Sequence, residues 1–188
     1  MGRGRDAWSK RVRRARIILL MLCAGAVVSC AVTASVEPRR VTPEERRQFV
    51  DLPRDHLGES RSAVRAVLGE PDWEILEPVA NRHYPEHTDQ LHTLYYPGLV
   101  IRILEATLSP GGDLLISVRM SENRTNVLPP LIGLTTREIT STYGLPSRTD
   151  GHAFEYANIE EPQEGEDFVS IRFDKGAVAE VEWNFYVD

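Results

Sequence analysis

Along this chain the apolar positions recur at helical spacing, then at every second residue, and then do both again. Val64, Val67 and Leu68 fall on one face of a helix predicted from Arg61 to Leu68. Ser60 stands where an N-cap belongs, Gly69 follows the last apolar residue, and Pro71 prevents continuation. The second helical stretch opens at Thr135, whose Glu138 completes a Thr-x-x-Glu capping box; Ile139 and Tyr143 face inward and Gly144-Leu-Pro146 ends it. After each helix the period falls to two. Leu94 and Tyr96, then Leu99 to Leu104, then Leu114, Ile116 and Val118 read as strands in the first half. Ala153 to Tyr156, Val169 to Phe173, and Ala179, Val181 and Trp183 after a Lys175-Gly176 turn read as strands in the second.

The two stretches share wording as well as period. Gly58-Glu-Ser60 through Leu68-Gly69-Glu-Pro71 returns 75 residues later as Gly133-Leu-Thr135 through Tyr143-Gly144-Leu-Pro146, without a gap. Such self-similarity predicts an α+β chain of two tandem small modules, each a helix packed on a three- to four-stranded antiparallel sheet, after an N-terminal signal segment. The boundaries that follow are 1–29 for the signal segment, 30–41 for a tether, 42–125 for the first module and 126–188 for the second. An extra helix belongs to the first: Thr42-Pro43-Glu44-Glu45 starts it, Leu52-Pro53 ends it, and Phe49, Val50 and Leu52 form its buried side. A core of this size supplies only about 3–5 kcal/mol, so the modules are expected to pack together.

The first residues change the picture in another direction. Seven bases against Asp6 precede an apolar run from Ile17 to Val28, the layout of an export signal. Val27-Val28-Ser29-Cys30 closes that run and resembles the lipobox of bacterial lipoproteins, which implies lipidation at Cys30. Val32-Thr33-Ala34 also suits ordinary cleavage, and Ile17 to Ala34 is long enough for an uncleaved anchor. All three readings leave the folded part extracytoplasmic, and a lipid on Cys30 would make the membrane a partner. Removing seven bases and one acid takes the formal net charge from −6 to −12, which argues against nucleic acid. Both cysteines, Cys23 and Cys30, lie in the leader, so no disulfide supports the folded part.

A helix opened by Gly-x-Ser/Thr and closed by Leu/Tyr-Gly-x-Pro, followed by Ile171-Arg-Phe-Asp-Lys-Gly176-x-Val178, resembles the SmpA/OmlA family. The pattern is also similar to lipoproteins of the outer-membrane barrel-assembly machinery and to the two-module beta-lactamase inhibitor protein. The resemblance implies a non-enzymatic envelope lipoprotein that binds a protein partner or serves as a scaffold, in outer-membrane assembly or envelope maintenance. Inhibition of a secreted or periplasmic enzyme is the alternative it implies. The family's barrel-assembly members have one module, the inhibitor's modules are held by cysteines, and no partner-binding residue of either can be matched here.

Candidate chemistry is thin. His83, His87 and His92, with Glu86 and Asp89, have the residue types of a zinc site, but Pro85 opposes the helix that would align the first two; the stretch reads as a solvated loop. Glu160, Glu161, Glu164, Glu166 and Asp167 lack the spacing of a calcium loop and read as a hairpin tip. Ser60 and Thr135 are explained as caps, so no nucleophile stands out, and neither a catalytic residue, a metal nor a cofactor is assigned. Among the aromatics, Trp183 and Phe185 are in phase with Val181 and belong inside, Tyr186 points the other way, and Trp73 is a candidate contact residue. The residues that bind a partner are not identified by the sequence.

Overall fold

The computed structural model describes residues 39–108, 112–124, 126–158 and 165–187, all within one compact unit. Thr42 caps the first helix, α1 (Pro43–Leu57), in a full capping box with Glu45, whose carboxyl those hydrogen bonds hold below the ordinary glutamate range. The helix does not stop at Leu52 as its proline suggests. Pro53 lies inside it and is buried. A proline at that position has no N–H to give the carbonyl four residues back, which is Phe49 O. The indole Nε1–H of Trp183 donates to that carbonyl instead, at 3.0 Å and fully buried, so the interruption is repaired from the far end of the chain.

Two shorter helices sit where the repeated phrase places them, α2 (Arg61–Leu68) and α3 (Thr136–Tyr143), capped by Ser60 and Thr135. Each is followed by four strands. These are β1 (Trp73–Ala80), β2 (Thr88–Tyr96), β3 (Leu99–Glu105) and β4 (Asp113–Met120), then β5 (Arg148–Asp150), β6 (Ala153–Ala157), β7 (Phe168–Asp174) and β8 (Ala177–Asn184). Small details recur too. Register shifts fall at Arg102/Ile103 and at Arg172/Phe173, and the hydroxyls of Tyr96 and Tyr156 donate to the carbonyls of Gly69 and Gly144, the glycines that close α2 and α3.

The expected pair of modules, each with a sheet of its own, is nevertheless wrong. All eight strands form one antiparallel sheet in the order β1-β2-β3-β4-β8-β7-β6-β5, fused where Ser117 to Met120 pair with Asn184 to Val181. The physical reason is visible in a single row across that junction. Leu94, Ile101, Val118, Trp183, Val169 and Tyr156 are successive cross-strand partners, and every one is fully buried. Each such side chain stabilises by about 1.5–3 kcal/mol when removed from water, and an unpaired β4 or β8 edge would have left the middle of the row exposed.

The extra helix supplies the second reason. Assigned by sequence to the first half, α1 touches α2 there and also packs on the second half: Phe49 stacks on Tyr143 at 4.0 Å and meets Tyr156 and Trp183 edge-on. Arg46 donates to Ser147 Oγ and Leu145 O, and Arg39 to Thr142 O. One core therefore serves both halves. The helices cover one face of the sheet, and the row in opposite phase, Tyr95, Val100, Arg119, Glu182, Ser170, Glu155 and Arg148, is largely polar, as one solvated face requires.

Candidate functional site

The segments that the repeat leaves unmatched converge at one end of the molecule. Between β1 and β2, Asn81 Oδ1 accepts from the backbone N–H of His83 and Tyr84, a tight turn that directs residues 81–87. Arg82 then reaches the C-terminal segment: its Nη1 donates to Val187 O at 3.0 Å and its guanidinium lies over the Tyr186 ring at 5.8 Å. β2, β3 and β4 intervene in the strand order, so this connection leans across the sheet. On the other side of the segment, Asp167 accepts from Tyr186 N–H at 2.7 Å and is paired with Arg54 of α1. Arg54 also lies over the Phe185 ring at 4.1 Å.

Beneath the β1–β2 connection these contacts enclose a groove of about 510 Å³. Val79, Leu104, Leu114, Ile116 and Phe185 give it apolar walls, while Tyr84, Leu108 and Tyr186 stand exposed around it. Volume and lining are those of a binding cleft. Its one buried acid, Asp89, is a fastener: Oδ2 accepts from Asn81 Nδ2 at 2.9 Å, and Oδ1 accepts from Thr107 N–H and Thr107 Oγ1 at 3.0 Å each. Those bonds tie both loops at this end to β2. Further along, Arg54 faces Asp51 and Glu59 as well as Asp167; burial, with help from Asp167, pushes the Asp51 carboxyl above its ordinary range.

The other residues singled out by sequence fall as follows. His92 is no loop residue; it sits in β2, buried, with Nδ1 2.6 Å from Glu74 and Nε2 3.1 Å from Glu105. Arg61 joins the same cluster through Glu105 and Asp113, so these charges answer one another on the helix-covered face. His83 and His87 lie in the turn, separated from His92, and among the described residues no group of three or more His, Cys, Asp or Glu could hold a metal ion. Trp183 and Phe185 are buried and Tyr186 is exposed, in the phases the sequence assigns. Trp73 stacks on Tyr95 at 4.9 Å and remains exposed. Cys30, Glu160, Glu161 and Glu164 lie outside the described residues. Sequence reasoning missed Arg82, Asp89 and Leu108 as groove residues, and β1 as a strand; only Val79 in β1, in phase with Ile75, hinted at one.

Comparison by sequence finds no matching family model and no matching curated protein. By structure the chain is similar to an extracellular protein containing an SCP domain from Bacillus anthracis str. Ames, solved at 1.5 Å, with 13% identity and a TM-score of 0.41. That match covers 70% of this chain and 44% of the other, so this chain spans less than half of that protein's length. A superposition of that quality does not make two folds the same.

Proposed function

We propose that this chain is a non-enzymatic, extracytoplasmic lipoprotein, anchored through Cys30, that binds a protein partner in the groove beneath the β1–β2 connection. The observation that carries this reading is the crowding of Tyr84, Leu108 and Tyr186, three exposed large side chains, around one apolar cleft. Exposed apolar residues scattered singly need no explanation, whereas a cluster at a preformed concavity marks a contact surface. The polar groups inside already bond to one another, which leaves apolar area and ring faces as what a partner would meet. The basic leader and lipobox support the compartment and the anchor, and the SmpA/OmlA-like helix brackets favour a role in envelope assembly or maintenance. Among the described residues no helix is long and apolar enough to cross a membrane.

A photo-crosslinking residue in place of Tyr186 in the full chain should capture a discrete partner in the envelope. Leu108→Asp in the same chain should reduce that capture at least tenfold while the protein remains folded. A chain that stays uncaptured at native levels, or capture indifferent to Leu108→Asp, would reject the groove. Labelled palmitate should enter the parent chain and not Cys30→Ser.

A further inference from the structure

The edge strand β1, whose last residues line the groove, has a long free margin. It is eight residues long and among the described residues pairs only with β2, whereas the other margin, β5, has three residues, two of them charged. Trp73, Ile75 and Leu76 on β1 are 57%, 42% and 55% exposed. Long apolar edges invite pairing with another chain, and proteins ordinarily blunt them with charge, brevity or cover.

Which backbone groups β1 offers follows from its ladder. Asn81 N–H donates to His87 O in register with the strand pair, so by alternation Val79, Glu77, Ile75 and Trp73 direct their N–H and C=O toward β2. Glu74, Leu76, Pro78 and Ala80 direct theirs outward. Pro78 is thus placed where its missing N–H weakens nothing inside the sheet. Among the described residues nothing bonds to the outward main-chain groups of Glu74 and Leu76.

We propose that this edge pairs antiparallel with β1 of a second copy of the chain, about a twofold axis at Leu76. In that register Leu76 exchanges both main-chain bonds with Leu76 of the second copy, and Glu74 N–H meets the carbonyl of Pro78 in each direction. Trp73 lies opposite Val79, Ile75 opposite Glu77, and Glu74 opposite Pro78, so no like charges face each other. Axes at Glu74 or Glu77 instead put two carboxylates face to face. An axis at Ile75 avoids that clash but leaves Pro78, Val79 and Ala80 beyond the paired strand. Self-complementarity is what an interface about a twofold axis demands, and the Leu76-centred register supplies it over nearly the whole strand. Val79 belongs both to the groove wall and to this pairing, but Ile75 and Leu76, where the pairing is tested, lie outside the groove, so loss of either leaves the other testable.

The test uses the full chain with Leu76→Cys, treated in cells with a short bifunctional thiol reagent beside the parent chain, whose leader cysteines set the background. Leu145→Cys, exposed and remote from β1, is the control for random encounter. A species of twice the chain mass from Leu76→Cys alone supports the pairing. Ile75→Lys with Leu76→Lys should weaken self-association of the detergent-solubilised full chain by at least about tenfold in sedimentation, with the same unfolding midpoint as the parent at a dilution where both are monomeric. Equal crosslinking from Leu145→Cys, an adduct of some other mass, or a monomer at every concentration overturns it; the second of these would assign the edge to a strand from a different protein.

Discussion

Gly69 and Gly144 show how much one residue type decides locally. Both have positive φ, 81° and 75°, as a left-handed cap would, but ψ is −166° at each, outside the left-handed helical region. That combination is essentially confined to glycine, and a side chain held there costs about 1–3 kcal/mol. The two sites differ in what surrounds them. A Cβ at Gly69 would meet nothing within 4 Å, whereas at Gly144 it would come within 2.7 Å of Val41 Cγ2 and 3.2 Å of Arg39 O. Gly69→Ala should therefore lose only the backbone contribution, and Gly144→Ala should lose more, because the segment before α1 must also shift. Urea titration of the two variants checks the order; equal losses would mean that the packing of Val41 is unimportant.

The element scale turns on α1 and its internal proline. The strand and helix periods were legible because solvent selects them residue by residue: alternation over Val169 to Phe173 and the Thr135–Glu138 box need no distant partner. The length of α1 was not legible, because the group that rescues Phe49 O is Trp183, 134 residues away. Trp183→Phe should destabilise strongly, through lost packing and through a buried carbonyl left without a donor, the latter worth about 1–3 kcal/mol. In a Pro53→Ala background residue 53 regains an N–H aimed at that same carbonyl. The second loss should then vanish, and a double-mutant cycle should read a coupling of about 1–3 kcal/mol between positions 53 and 183. Additive effects would show that the indole bond does not compensate for the proline. The same dependence on distant partners hid the groove: nothing near Arg82 in sequence indicates that Val187 will be beside it.

Across the whole molecule, the shared sheet makes the halves interdependent. Trp183 at the junction is fully buried among residues from α1, β4 and β7, so neither half can open without exposing it. Calorimetry on the folded protein should show one transition whose calorimetric and van't Hoff enthalpies agree, as two-state unfolding requires. Two resolved transitions would mean that the β4–β8 pairing contributes little. What the sequence by itself determined is what neighbours determine: where α2 and α3 begin and end, the alternation of the later strands, and which of Phe185 and Tyr186 turns inward. The tertiary structure alone decided that two repeats make one sheet, that α1 bridges both halves, and that the insertion after β1 meets the C-terminal segment over a groove. The reason is common to all three. Local pattern specifies which face of an element is apolar, whereas which other element covers that face is settled only when the whole chain competes for the same buried area.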